Sequence, residues 1–157
     1  MRAIILAGGK GTRLLPLTET IPKPMVLICG KPLLQYQIEL LKDNGITEIT
    51  LIVNYLGKKI QDYFQDGTQF GVNIDYIFET EPLGTAGTIG KIAENAHEEF
   101  LVLYGDLLLN IDLKDLVKFH NKHKGIGTLV VHPNNHPEDS DLLELSPDSI
   151  ITVIHSK

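Results

Sequence analysis

The sequence is poor in the features that would place it outside an ordinary folded domain. It has one cysteine, Cys29, in 157 residues, which cannot form an internal disulfide and fits a reducing, cytoplasmic setting. It has no long apolar run: the stretch nearest the N-terminus, Ala3–Ala7, is too short for a signal-peptide core or a membrane span. It is also short of positive charge. Lys and Arg number 14 against 20 Asp and Glu, a net charge of −6. That balance argues against a general binder of nucleic acid or anionic membrane, whose affinity would come from phosphate neutralisation. There is no internal repeat, low-complexity tract or linker. What remains is 43% hydrophobic and 22% charged, a globular composition. A single domain of this length hides roughly 68–70% of its unfolded surface and needs no covalent staple.

Short apolar runs alternate with amphipathic ones. Arg2–Ala7 reads as a buried strand stopped by Gly8-Gly9. Pro32–Asn44 has Leu33, Leu34, Ile38 and Leu41 at helical spacing, with Pro32 suited to the first turn and Gly45 to the C-terminal cap. Strands are expected at Glu48–Val53, Val72–Phe78, Phe100–Tyr104, Thr128–His132, Leu142–Leu145 and Ile150–Ile154. Helices are expected at Lys58–Gln65, Gly84–Ala96 and Leu113–His123. The alternation predicts an α/β fold, Rossmann-like, with a mixed, mostly parallel sheet and helices on both faces. The last two strands, four residues apart, are expected to pair as a hairpin within that sheet.

In such folds ligands bind beyond the carboxyl ends of the strands. The first such loop is Leu6-Ala7-Gly8-Gly9-Lys10-Gly11-Thr12-Arg13-Leu14. Three glycines in four residues let the backbone turn sharply and aim several N–H groups into one concavity, which suits phosphate oxygens. Lys10 and Arg13 add charge, and arginine can grip phosphate with two parallel hydrogen bonds. The loop is neither a P-loop nor a dinucleotide fingerprint, since Leu14 stands where a third glycine is needed. Pro16, Pro22 and Pro24 argue against a long helix after it.

The run Phe100–Tyr104 ends in Gly105-Asp106. A carboxylate there is placed to hold magnesium, which favours oxygen ligands and takes few from protein. Asp112, just before the Leu113 helix, reads instead as an N-cap. Glu81-Pro82-Leu83-Gly84-Thr85-Ala86-Gly87 precedes a helix with small residues that would let a flat base approach the backbone. His132–Asp141 carries two histidines and three acids, but its prolines and the want of a third clear ligand speak against a metal site. His120 and His123 read as surface or packing histidines.

The string Leu6–Leu14, followed by Pro16-Leu17-Thr18 and Pro22-Lys23-Pro24-Met25, resembles the signature of sugar-1-phosphate nucleotidyltransferases, the nucleotide-sugar pyrophosphorylases. The resemblance implies that Leu6, Ala7, Gly8, Gly9, Lys10, Gly11, Thr12 and Arg13 bind nucleotide, with Arg13 on the triphosphate. It implies that Lys23 reaches the reacting phosphates and that Asp106 holds Mg2+. Pro22 and Pro24 would hold Lys23 in place before ligand arrives. The Glu81–Gly87 string is similar to that of guanylyltransferases making GDP-mannose or GDP-heptose, which implies GTP as substrate and nucleotide contacts at Glu81, Gly84 and Thr85. Some uridylyltransferases carry a similar string. The stretch 132–141 resembles a loop in enzymes acting on D-glycero-D-manno-heptose 1-phosphate, pointing to a manno-configured sugar phosphate. Lys157 matches a lysine that contacts the sugar phosphate, while Ser156 stands where the family has glutamate, so that role is not carried over. The resemblance covers residues 1–157 as the nucleotide-binding part of the domain. The family's sugar-binding remainder and second metal-binding aspartate lie beyond, so a truncated chain with an uncovered sheet edge, prone to homo-oligomerise, is expected. A non-catalytic nucleotide-sensing module of the same fold and a uridylyl- or thymidylyltransferase are the competing readings. A dinucleotide oxidoreductase conflicts with the missing fingerprint.

Overall fold

A computed structural model describes residues 1–80, 84–94, 98–135 and 137–156. Glu81 and Lys157, and the predicted helix end at Asn95-Ala96, lie outside the described residues. The elements are β1 (Arg2–Leu6), β2 (Leu27–Ile28), β3 (Lys31–Pro32), α1 (Leu33–Asp43), β4 (Glu48–Val53), α2 (Gly57–Phe64), β5 (Asn73–Phe78), α3 (Gly84–Ala93), β6 (Phe100–Tyr104), α4 (Leu113–His123), β7 (Leu142–Leu145) and β8 (Ile151–His155).

Four strands form one parallel sheet in the order β5-β4-β1-β6. With right-handed crossovers this order puts α1 and α2 on one face and α3 on the other. Burial follows the strand alternation. Ala3, Ile5, Ile49, Leu51 and Val53 join Leu34, Ile38 and Leu41 of α1 and Ile60 and Phe64 of α2 in one core. Ile4, Thr50 and Ile52 are buried on the opposite face. The antiparallel hairpin is present, but β7 and β8 form a separate two-stranded sheet instead of extending the parallel one. The predicted strand at 128–132 does not form; that segment has no ladder partner among the described residues. A second small hairpin, β2–β3, was not foreseen.

Local chemistry accounts for the helix ends. After α1, the Ile46 N–H donates to the Leu41 carbonyl at 2.9 Å and the Gly45 N–H to Lys42 at 2.8 Å, with Gly45 at φ +79°. That is a Schellman ending, which needs a left-handed residue where Gly45 stands. Asp112 caps α4: its Oδ1 accepts from the N–H groups of Lys114 and Asp115 at 2.8 and 3.1 Å.

Contacts divide the chain into two compact units, Met1–Val117 and Lys118–Lys157. The first holds the parallel sheet. The second holds the β7–β8 hairpin, a stacked Phe119–His123 pair and a 2.9 Å contact between His120 Nδ1 and Thr128 Oγ1.

On β5 the Tyr76 hydroxyl is buried without a partner among the described residues. Burial, with a smaller contribution from Asp66, pushes its phenol up to about 12. The raised value means the folded chain prefers the neutral phenol, a preference that leaves stability intact below pH 10 and erodes it between 10 and about 12. Tyr76→Phe is expected to leave stability at pH 7 unchanged or raise it by up to about 1 kcal/mol, because an unpaired buried hydroxyl is removed. It should also abolish that alkaline loss. Urea unfolding at pH 7 and pH 11 measures both.

Candidate nucleotide site

The parallel order reverses direction at β1: the chain leaves it for β4 on one side and returns to β6 on the other. Beyond the carboxyl ends of the strands at such a point a crevice opens. Leu6 is directly in register with Ile52 of β4 and Tyr104 of β6, so the last or next-to-last side chains of three strands share one face. They floor a cavity of about 300 Å³. Ala7, Gly8 and Gly9 border it on one side, Lys23, Pro24 and Asp106 on another, and Glu79, Gly84, Thr85 and Thr88 complete its wall.

The Ala7 N–H still donates to Ile52 O at 2.8 Å, as a continuation of the ladder. Past it, the N–H groups of Gly8, Gly9, Lys10 and Gly11 donate to no main-chain carbonyl among the described residues. A Cβ on Gly8 would lie 3.2 Å from Asn54 Cβ, whereas one on Gly9 would meet nothing within 4 Å. Gly11 is left-handed at φ +63°, and a Cβ there would lie 3.0 Å from Thr18 Cγ2 and 3.1 Å from Lys23 Cβ. Its carbonyl accepts from the buried Thr18 hydroxyl at 2.8 Å and from Leu14 N–H at 2.9 Å. The loop is thus pinned at Gly11, while the N–H groups of the three residues before it make no main-chain bond among the described residues. Gly11→Ala is expected to cost about 1–3 kcal/mol of stability, from the left-handed backbone and the crowding of Lys23 and Thr18. Urea unfolding would measure that loss.

The prolines permit only single 3-10 turns after the loop, at Thr12–Leu14, Leu17–Glu19 and Lys23–Met25. Pro24 is buried and the Met25 N–H donates to Pro22 O at 2.7 Å, which fixes the backbone of Lys23. Lys23 Nζ then donates to Asp106 Oδ2 at 2.5 Å across 83 residues of sequence. Asp106 sits in a tight turn after β6. The turn is tied to β1 by the Gly105 N–H, 2.8 Å from Leu6 O, and a Cβ on Gly105 would lie 3.1 Å from that same oxygen. On the opposite wall the Thr88 hydroxyl donates to Glu79 Oε1, and Asn54 Nδ2 donates to the Glu79 carbonyl at 2.9 Å.

Of the residues singled out from sequence, Leu6, Ala7, Gly8, Gly9, Lys23, Gly84, Thr85 and Asp106 meet at this cavity. Lys10, Gly11, Thr12 and Arg13 are not on its lining; Lys10, Thr12 and Arg13 lie exposed in the adjoining loop. Ile52, Glu79, Thr88 and Tyr104 were not singled out. Glu79 carried a usable signal, for it directly follows a strand just as Gly105-Asp106 does. A site for Mg2+ would draw one protein carboxylate, from Asp106, with the rest of its shell from phosphate and water. That is a donor set magnesium accepts. Among the described residues no three His, Cys, Asp or Glu side chains cluster, and His132 Nδ1 contacts its neighbour's carbonyl, Pro133 O, at 2.8 Å.

The sequence pattern described as nucleotidyl transferase matches residues 2–150. The chain belongs to this family. It is 42% identical over 142 residues to the UTP–glucose-1-phosphate uridylyltransferase of Synechocystis, covering 83% of this chain and 37% of that protein. It is equally 42% identical over 142 residues to the mannose-1-phosphate guanyltransferase of Saccharomyces cerevisiae, covering 87% of this chain and 39% of that one. Among solved structures, HddC from Yersinia pseudotuberculosis, complexed with GMP-PN, superposes at a TM-score of 0.74 with 29% identity, covering 99% of this chain and 69% of that chain. The chain therefore spans about two fifths of the length of the curated relatives it matches.

Proposed function

We propose that the chain forms the nucleotide-binding part of a sugar-1-phosphate nucleotidyltransferase, which joins an NTP to a sugar 1-phosphate and releases pyrophosphate. The observation that carries this reading is the convergence of Gly8 and Gly9, Lys23 and Asp106 on one cavity at the point where strand order reverses. A sugar 1-phosphate oxygen attacks the α-phosphorus of the nucleotide in line, and the bond to the pyrophosphate oxygen breaks. The attacking oxygen is already an anion, so no general base is needed. The task is to hold two mutually repelling polyanions and to stabilise charge on the departing pyrophosphate. The free N–H groups of Gly8–Gly11, with Lys10 and Arg13 beside them, take the triphosphate tail, and Lys23 faces the reacting phosphates. Asp106 would hold magnesium, which supplies neutralisation of phosphate charge when bound.

GTP and a manno-configured sugar 1-phosphate are the substrates we favour. Support comes from the Glu81–Gly87 string, the stretch 132–141 and the mannose-1-phosphate guanyltransferases among the relatives. Glu79 adds a carboxylate on the wall beside Gly84 and Thr85 that can accept from the paired N–H donors on the edge of guanine. UTP with glucose 1-phosphate is the competing pair, favoured by the Synechocystis relative. Association between copies fits the exposed Leu129, Val130, Ile150 and Ile154. Pyrophosphate release by the protein that carries this segment, with four NTPs crossed against mannose, manno-heptose and glucose 1-phosphates, is expected to be fastest with GTP and a manno sugar. Turnover confined to UTP or dTTP would overturn the guanine assignment, and no turnover alongside tight GTP binding would favour a sensing module.

A further inference from the structure

Gln37 is the one amide on the buried face of α1. Its neighbours on that face, Leu33, Leu34, Ile38 and Leu41, are apolar, and Gln37 itself is 1% exposed. Burying an amide there costs stability unless its donors are used. They are used on one target. Nε2 donates to the carbonyl of Tyr104 at 2.7 Å and to that of Leu107 at 2.5 Å, some 70 residues away in sequence. With a carbonyl at each contact, the amide can present only its nitrogen. Oε1 is left buried with no partner among the described residues. A leucine would suit this helix face better for stability alone, since it would leave no orphaned acceptor.

The two carbonyls bracket Asp106. Tyr104 O also accepts from Leu107 N–H at 3.3 Å, so residues 104–107 form a four-residue turn with Asp106 as its third member. Gly105 ties the turn to β1, and Gln37 ties both of its ends to α1. The Asp106 carboxylate, 37% exposed and paired with Lys23, is the charged group that the turn delivers to the cavity.

We infer that Gln37 is a positioning residue, whose two donor bonds fix the main chain on either side of Asp106 and so set where its carboxylate stands over the cavity. This rests on the functional reading above and goes beyond it by assigning a role to a side chain that touches no ligand. The probe is Mn2+, titrated by electron paramagnetic resonance with GTP present. Asp106→Asn is expected to weaken Mn2+ binding at least about tenfold, and Gln37→Met about 10–100-fold, the range seen when groups behind a metal ligand are removed. Metal-free GTP binding by Gln37→Met should fall no further than that of Asp106→Asn, which also releases Lys23 from its partner. The double variant Gln37→Met/Asp106→Asn should bind Mn2+ no more weakly than Asp106→Asn alone, because Gln37 acts only through Asp106. A merely structural glutamine would instead weaken metal-free GTP binding beyond the level of Asp106→Asn and add its loss of Mn2+ binding to that of Asp106→Asn, which overturns the inference. Should Gln37→Met not fold, the unsubstituted chain decides: its Gln37 side-chain amide proton resonances are expected to shift when Mg2+ is added to the GTP-bound protein, but not in Asp106→Asn. No shift overturns the inference. Mn2+ binding retained by Gln37→Met but lost by Asp106→Asn sinks this role alone. Absence of Mn2+ binding by the unsubstituted chain sinks the functional reading and this role together.

Discussion

Lys23→Met is expected to lower turnover about 10²–10³-fold, close to 3–4 kcal/mol of barrier, the scale for losing one preorganised donor that meets developing charge. The size of the effect follows from how Lys23 is held. Pro22 and a buried Pro24 fix its backbone, the 3-10 turn at Lys23–Met25 closes behind it, and Asp106 aims its ammonium over the cavity. Its backbone then needs no reorganisation when a triphosphate arrives. Methionine matches the apolar stem while removing the ammonium and its charge. It also leaves the Asp106 carboxylate without its counter-ion beside an incoming polyanion. Stability should change by no more than about 1 kcal/mol, since both partners are about one-third exposed and solvent screens the pair. Pyrophosphate release together with a urea titration separates the two effects. Full turnover in the variant would remove Lys23 from the site.

Much of this arrangement was legible from residues alone, and the reason is local. β4, β6, α4 and β7 have the predicted bounds because continuous apolar runs and helical spacing end beside glycine, asparagine, aspartate or proline, whose backbone preferences act within a few residues. The Gly8–Gly11 loop and Asp106 were visible because each directly follows an apolar strand, and strand ends define where such folds bind ligands. The segment 128–132 misled because a β-branched apolar run needs a partner strand, and partnership is not written in the run itself. The β7–β8 hairpin formed from its own turn, as predicted, but which sheet it joins depends on distant edges. Thr88 and Gln37 escaped for a related reason, whereas Glu79, directly after β5, could have been read from the same strand-end rule. Thr88 and Gln37 matter through bonds to residues 9 and about 70 positions away, and a glutamine on an apolar helix face looks like a blemish until its partners are seen.

Asp106→Asn is the sharper test of the chemistry. The substitution keeps the shape of the side chain and the turn that carries it, tied by Gly105 and Gln37, so the expected loss is electrostatic. Turnover should fall about 10²–10³-fold, and the magnesium concentration needed for half-maximal rate should rise, because an amide oxygen is a far weaker ligand for a hard dication than a carboxylate. Lys23→Met should instead lower the rate without raising the magnesium requirement, since it frees the Asp106 carboxylate of a competing cation. Since Lys23 and Asp106 touch, their effects should not add: the double variant Lys23→Met/Asp106→Asn is expected close to the worse single variant, whereas independent roles would multiply the losses. Pyrophosphate release measured across a magnesium series on the three variants distinguishes these outcomes. An Asp106→Asn protein with an unchanged magnesium requirement would reduce the carboxylate to an anchor for Lys23 and move the metal elsewhere.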